Sequence, residues 1–493
     1  MIYRYTKLEG FDPQLFLGIR KKKGEQFYTI EDNKFNQMVL GEFPEYSFEQ
    51  DKLVHSESLF GYQRPDVMRM CNSDRIINAN RMGYGKTVET IAAMRELGVQ
   101  NAVIICPSSI KLQWRNLLLK WYPEIDASRV VVFDSKTYPV TENTFVILNY
   151  EKLLNATVYM SLRRWQWDVL VCDEVHRLKN RRSKRSVAAK QIPAARIWGL
   201  TGTPILNRPD DLWSILHLLG EEYSGISYWN FVNFFCNVVE TPFGKKIDGL
   251  SHDSRKVDLL NQYLKRVFII NPEMQVTRGR VHTTIPLQMG SKQKKLYRDT
   301  KNILLDELPE NLTIPNGAVL CIRVMQITSN PSMYLQGVAG VKFEYIRDLL
   351  ADNPDEKFVI FSKFATTCKA LQDYLEYKTV LYTGDLTEDE KASSKNAFMH
   401  DNNCRAIIGT IAAMSEGVDG LQYASHIAVF IERDWSPEIM KQAEARLDRF
   451  GQQHKVQIIQ LECIGTYDKH VGKVNLSKSE DIRRALNDED SIS

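Results

Sequence analysis

Short apolar runs recur along the first half of the chain, each closed by polar or glycine residues: RIINA (75–79), NAVIICP (101–107), TFVILNY (144–150), DVLVCDE (168–174) and RIWGLTGTP (196–204). Aliphatic and β-branched residues without polar alternation predict strands covered on both faces, as in a parallel sheet. Between them, KTVETIAAMRELG (86–98) and SIKLQWRNLLLKWY (109–122) carry helical spacing. Strand alternating with helix predicts α/β layering, and in such sheets functional residues gather just beyond the strand C-termini. Residues 1–55 differ. Their short apolar runs with intervening charge predict a small β-rich module, with IRKKKGEQFYTI (19–30) as two strands around a basic turn. From Trp213 to about Gly340 the pattern is interrupted, first by an aromatic, helical stretch, SYWNFVNFFCNVVETPF (227–243). The last residues, SEDIRRALNDEDSIS (479–493), are acidic and expected to be loosely ordered.

A chain of 493 residues has room for two or three domains. No apolar run approaches a bilayer span, and MIYRYTKLEG lacks the charged-then-apolar pattern of a signal peptide, so a soluble, intracellular protein is expected, in cytoplasm or nucleoid, or in the nucleus of a eukaryote. The cysteines never stand at C-x-x-C spacing, and no zinc site is expected. The net charge of +3 neither implies nor excludes a nucleic acid. One local run does stand out: HRLKNRRSKR (176–185) has six Lys or Arg and no acid.

The polar ends of the strands carry the candidate chemistry. NRMGYGKT (80–87) follows a strand and opens a helix, the context of a phosphate-binding loop, although Asn80 occupies the usual first glycine position. Gly83 and Gly85 permit positive φ and close backbone approach. The loop amides and helix N-terminus face the phosphates, Lys86 neutralises them and Thr87 holds Mg²⁺. Asp173 and Glu174 close an apolar strand. That placement suits one carboxylate for Mg²⁺ and one to polarise water, with helix capping as the structural alternative.

With these motifs the chain resembles the Snf2 family of superfamily 2 helicases and DNA translocases, from about Leu59 to Val471. GYQ (61–63) is similar to the family's adenine-side motif, with Gln63 as its glutamine. NRMGYGKT resembles D-E-M-G-L-G-K-T, so Met82, Gly83, Tyr84, Gly85, Lys86 and Thr87 are implied nucleotide contacts, while Asn80-Arg81 replaces an acidic pair. ICPSSIKLQWRNLLLKW, VILNYEKL, DEVHRLKN and LTGTPILN follow in the family's order. His176, Thr201, Gly202 and Thr203 are the implied coupling residues. KFVIFSKFATTCKALQDYL (357–375) resembles the start of the second lobe, and QAEARLDRFGQ (442–452) resembles Q-A-x-x-R-x-x-R-x-G-Q. Arg446 and Arg449, spaced i and i+3, are expected on one helix face, where the resemblance implies γ-phosphate contact, with Gln442 in the same cleft. The alternative is a surface pair bridged to Glu444 and Asp448. Ile270-Asn271 stands where the family commonly has Arg-Arg.

The resemblance implies two RecA-like lobes, each a parallel sheet flanked by helices, with helical Snf2-type insertions. The expected domains are the N-terminal module (1–55), a first, ATP-binding lobe (56–222), an insertion and linker (223–340) and a second, helicase C-terminal lobe (341–493). ATP and Mg²⁺ are the implied cofactors. Lys179, Asn180, Arg181, Arg182, Lys184, Arg185 and Thr410 are the candidate DNA contacts, and Arg20, Lys21, Lys22 and Lys23 either touch a DNA branch or make a solubilising turn. GTIAAMSEGVDGLQYA (409–424) reads most like the annealing-helicase branch. The implied activity is ATP-driven movement on duplex or branched DNA, remodelling forks or migrating junctions in replication, recombination or repair. The alternatives are a general duplex translocase that displaces proteins or drives a larger complex, and a non-motor DNA-binding scaffold. The sequence names no protein partner.

Overall fold

The computed structural model describes residues 2–5, 11–21, 28–43, 53–133, 140–141, 143–202, 209–225, 227–241, 244–271, 279–306, 314–449, 451–469 and 471. Its chain divides between Met274 and Gln275 into two compact units.

The first unit opens with β1 (Ile2–Tyr5) and β2 (Tyr28–Glu31), antiparallel in register Ile2↔Glu31 to Tyr5↔Tyr28. The hairpin expected over 19–30 therefore gives way to a longer-range ladder, and its first arm contributes a single bridge, Arg20↔Thr29. The reason lies just upstream. Asn36, on the helix Lys34–Val39, accepts from the Leu17 amide and donates to the Leu17 carbonyl, both at 2.9 Å, which ties that arm to the helix. Lys22 and Lys23 lie outside the described residues. This segment is not a separate body: Phe35 meets Phe234, Phe235 and Tyr263 edge-on at centroid distances of 5.6, 5.1 and 5.7 Å.

Next come β3 (Arg75–Asn78), β4 (Ala102–Cys106), β5 (Val130–Val132), β6 (Phe145–Asn149), β7 (Trp167–Asp173) and β8 (Ala194–Leu200), then β9 (Cys236–Thr241), β10 (Gly244–Leu250) and the short β11 (Phe268–Ile269). Among the described residues, one parallel sheet runs β11-β3-β8-β7-β4-β6-β5. Successive residues of a strand point to opposite faces. Ile77, Val103, Ile105, Val146, Leu148 and Leu170 accordingly enter one apolar cluster, and Ile76, Ala102, Ile104, Ile147, Val169 and Val171 enter the other. Both faces are covered, which is why the strands read as unbroken apolar runs. The stretch 227–243 is helical only over Tyr228–Phe235. Its β-branched pair Val238-Val239 then pairs with Ile247 and Lys246 in an antiparallel β9–β10 hairpin.

In the second unit, β12 (Arg280–Leu287), β13 (Phe358–Ser362), β14 (Thr379–Tyr382), β15 (Ala406–Thr410), β16 (Ile427–Phe430) and β17 (Val456–Cys463) form a parallel sheet in the order β12-β17-β16-β13-β15-β14. Here too alternate residues divide: Val359, Ile407 and Phe430 on one face, Ile360, Ile408 and Val429 on the other. β12 pairs with β17 from Arg280 to Leu287. The region read from sequence as an insertion and linker (223–340) is thus shared, its first part joining the first unit and its last part supplying a strand to the second sheet. Among the described residues no helix is long and apolar enough to cross a membrane.

Candidate active site

The first unit gathers its candidate residues at the C-terminal ends of β3, β7 and β8. β3 leads into the glycine loop, and the helix Lys86–Glu96 leads out. Gly83 and Gly85 take φ of 83° and 88°, the left-handed region that glycine enters without steric cost. Lys86 Nζ donates to the carbonyls of Asn80 at 2.8 Å and Arg81 at 3.1 Å, so its ammonium lies along the inner wall of the loop. Thr87 is half-buried in the first turn of that helix. Tyr84 is buried, and its carbonyl accepts from Tyr62 Oη and Gln63 Nε2, both at 3.2 Å. Gln63, at the start of the helix Gln63–Cys71, also accepts from the Phe60 amide at 3.2 Å, so both ends of its side-chain amide are engaged beside the loop. Met82 lies against Gly202, where an added Cβ would meet Met82 Cγ at 2.6 Å. A side chain at Gly202, two residues beyond β8, would therefore have to displace Met82.

Asp173 is the last residue of β7 and is buried. Its Oδ2 accepts from Trp114 Nε1 at 2.7 Å, its Oδ1 from the Glu174 amide at 2.9 Å, and its carbonyl from Tyr150 Oη at 2.6 Å. Burial and the neighbouring Glu174 charge push its pKa up, against the Trp114 hydrogen bond and the Lys86 ammonium. A buried carboxylate held above its ordinary range is a site that a cation stabilises. An oxygen donor set of one carboxylate and one threonine hydroxyl suits Mg²⁺, which keeps waters and phosphate oxygens in its remaining positions. Among the described residues no group of three or more His, Cys, Asp or Glu forms a closed metal cage, and such a magnesium site needs none.

Glu174 is the non-glycine residue at positive φ (51°) among the described residues, a conformation costing about 1–2 kcal/mol for an L side chain. Its carboxylate pairs with His176 Nδ1 at 3.2 Å, and the same nitrogen lies 3.4 Å from Thr201 Oγ1. Thr201 N donates to the Asn78 carbonyl at 3.0 Å. The acidic strand end, the residue after β8 and the end of β3 are thus joined in one polar chain. Thr203 lies outside the described residues.

The basic run 176–185 is less open than its composition implies. Lys179 pairs with Asp211 at 3.5 Å, Arg185 with Glu151 at 3.9 Å, and Arg181 lies over the Tyr228 ring at 4.1 Å. Distant parts of the chain supply the acids that the run itself lacks. Asn180, whose Oδ1 accepts from the Arg182 amide at 3.1 Å, Arg182 and Lys184 are exposed.

In the second unit the helix Pro437–Glu444 ends before the two arginines, which lie in the turn and the bend that follow rather than on one helix face. What brings them together is a shared partner segment. Arg446 donates to the carbonyls of Ser415 and, at 3.3 Å, Val418, and Arg449 pairs with Asp419 at 2.5 Å. Among the described residues Glu444 and Asp448 pair with groups on β12. Glu444 Oε2 takes Arg280 at 2.9 Å and His282 at 3.1 Å, and Asp448 lies 3.8 Å from Arg280. Thr410 ends β15 and caps the helix Ile411–Gly417, its Oγ1 accepting from the Ala413 amide at 3.4 Å. Gln442 is buried in its helix.

Sequence reasoning missed several residues that organise these sites: Trp114 and Tyr150 behind Asp173, Asp419 beside Arg449, and Asp66. The first two stand inside motifs it did identify, but no spacing rule aims an indole at a carboxylate.

Beyond the strands of a parallel sheet, a glycine loop opening a helix beside a buried acidic strand end defines a phosphate-loop α/β protein. The chain belongs to the SNF2-related family: the SNF2-related domain matches residues 62–328, and the helicase conserved C-terminal domain matches 341–451. It is 28% identical over 416 residues to the human protein named DNA annealing helicase and endonuclease ZRANB3, covering 82% of this chain and 38% of that one. It is 23% identical over 449 residues to the Drosophila melanogaster SWI/SNF-related matrix-associated actin-dependent regulator of chromatin subfamily A-like protein 1, covering 86% and 55%. The chain thus spans well under two thirds of these relatives. A solved Sulfolobus solfataricus SWI2/SNF2 ATPase core in complex with dsDNA aligns with a TM-score of 0.43 at 21% identity, over 89% of this chain and 99% of that one.

Proposed function

We propose that the chain is an ATP-dependent DNA translocase that remodels branched DNA such as replication forks. The observation that carries this is the loop around Lys86 at the same C-terminal end of the sheet as buried Asp173 and half-buried Glu174, in a chain of the SNF2-related family whose human relative is named an annealing helicase. The endonuclease part of that name is not carried over.

In this reading the loop amides and Lys86 hold the ATP phosphates. Magnesium, when bound, is held by Thr87 and Asp173 and neutralises charge on the phosphates. Trp114 orients Asp173 by a short hydrogen bond. Glu174 orients the attacking water, and His176 holds the Glu174 carboxylate in turn. Gln63 supplies an adenine contact next to Tyr84. Arg446 and Arg449, supported by Gln442, are assigned to the γ-phosphate, where arginines stabilise the charge of phosphoryl transfer, and loss of that phosphate is the switch. Thr201, Gly202 and Thr203 couple the nucleotide to DNA. The DNA backbone meets the exposed Asn180, Arg182 and Lys184 first, then Lys179, Arg181 and Arg185 of the same run; Thr410 is a separate candidate contact in the second unit. Such contacts position the motor without reading sequence.

The test is steady-state ATP hydrolysis by the whole chain and by Lys86→Ala in the presence of forked DNA. Wild type should hydrolyse ATP, and Lys86→Ala should fall at least about 100-fold while still binding DNA. A Lys86→Ala protein with wild-type turnover would overturn the assignment of the loop.

A further inference from the structure

Two pairs near the loop differ in charge from the family pattern, Asn80-Arg81 and Ile270-Asn271, and in the folded chain Asn80 and Asn271 touch. Both are polar residues that the proposed chemistry does not use. Asp66, on the helix Gln63–Cys71, is buried, and its Oδ2 accepts from Asn80 Nδ2 at 2.7 Å and from Asn271 Nδ2 at 2.6 Å. Asn80 Oδ1 accepts from the Asn271 backbone amide at 2.9 Å. The cycle closes: each of the three residues contacts the other two. It continues into β3 and the loop. Asn80 N donates to Asn78 Oδ1 at 3.2 Å, Asn78 Nδ2 donates to Glu89 Oε2 at 2.6 Å, and the Asn80 carbonyl receives Lys86 Nζ at 2.8 Å. β11 runs alongside, with the Ala79 amide donating to the Ile269 carbonyl at 2.8 Å.

We infer that Asp66, Asn80 and Asn271 form an amide latch that positions the phosphate loop, fixing the carbonyl on which Lys86 rests and tying it to the strand end beside β11. The three are positioning residues and act on nucleotide through Lys86 and the loop backbone. Charge balance explains the amides. An acid at position 80 would set a second carboxylate within hydrogen-bond distance of Asp66, in a buried place, where like charges oppose each other strongly. Two amides offer Asp66 its donors with no second charge. Three polar side chains that satisfy one another in a buried site hold a single geometry, whereas a partly satisfied set does not.

The inference rests on the loop being the nucleotide site, and the test separates the two. Asn80→Asp alone places two acids together. Combined with Asp66→Asn it reverses the polarity while keeping the charge. The new Nδ2 at position 66, standing where one oxygen accepted both side-chain bonds, would then donate one N–H to the new carboxylate at position 80 and the other to Asn271 Oδ1 once that amide turns over, and the carboxylate would accept from the Asn271 backbone amide. Asn80→Asp should raise the KM for ATP at least about tenfold, and the Asp66→Asn/Asn80→Asp pair should return it to within about threefold of wild type. The melting temperature should fall and recover in the same order, a readout that needs no nucleotide and holds even if the loop has another ligand. Asn271→Ala, which removes one donor and adds no charge, covers the case in which Asn80→Asp does not fold. It should raise KM roughly three- to tenfold with kcat within about twofold. A wild-type KM and melting temperature in Asn80→Asp, a paired variant no better than Asn80→Asp, or an unchanged KM in Asn271→Ala overturns the latch.

Discussion

Gly85 shows at a single residue how the loop is specified. Its φ of 88° lies where a side chain is strained, and a Cβ there would meet Gln63 Nε2 at 2.6 Å. The amide is the end of a flexible side chain and can swing away, so the clash is soft; the backbone strain, about 1–2 kcal/mol, remains. Gly85→Ala should therefore leave the protein folded, detach Gln63 from the Tyr84 carbonyl and raise the KM for ATP at least about fivefold. An unchanged KM would separate Gln63 from the nucleotide site. Gly83, Gly85, Lys86 and Thr87 were legible because their residue types are themselves the constraint. Glu174 in the left-handed region was not legible. Nothing in a glutamate's identity requires positive φ, which here accompanies a carboxylate paired with His176 and an amide bonded to Asp173. Asp66 was invisible for a related reason, since its partners are 14 and 205 residues away along the chain.

At the scale of elements, strands buried on both faces announced themselves, and β3, β4, β6, β7 and β8 all fall close to the predicted runs. What depends on distant partners did not. β11 has only two residues, Phe268 and Ile269, and exists because β3 offers it an edge. The helix carrying Gln442 stops at Glu444, so the i, i+3 spacing of Arg446 and Arg449 did not translate into a helix face. Glu444 itself secures an edge strand. Burial pushes its pKa up, but the His282 hydrogen bond and the Arg280 charge outweigh burial and hold the carboxylate below its ordinary value. A depressed folded pKa gives stability that is present above the unfolded value, near 4.3, and is lost as pH falls through the folded one. Glu444→Gln should speed hydrogen exchange of β12 amides at pH 7, and its melting temperature should converge on wild type as pH drops below about 4. A constant difference across that range would mean the carboxylate's charge is not what anchors β12.

Across the whole molecule, the first parallel sheet carries the glycine loop and Asp173–Glu174 beyond its strand ends and the second carries Thr410 at the end of β15, while Gln442, Arg446 and Arg449 belong to a helix and the residues after it; the family assignment spans both units. Order of motifs along the chain was sufficient to expect two lobes. It was not sufficient to place the division between them, because β12 belongs to the second sheet while lying far upstream of its other strands. The basic run was visible as composition, but its engagement by Asp211, Glu151 and Tyr228 was not. In the proposed function, ATP hydrolysis is coupled to branched DNA. The most direct measurement is the steady-state ATPase rate of the whole chain with no DNA, single strands, linear duplex, a model fork and a four-way junction. The rate is expected to be low without DNA and highest with the fork or junction, with stimulation weakening steeply with salt as backbone contacts are screened. A rate that no DNA changes, or that linear duplex raises as much as the fork or junction, would contradict that coupling.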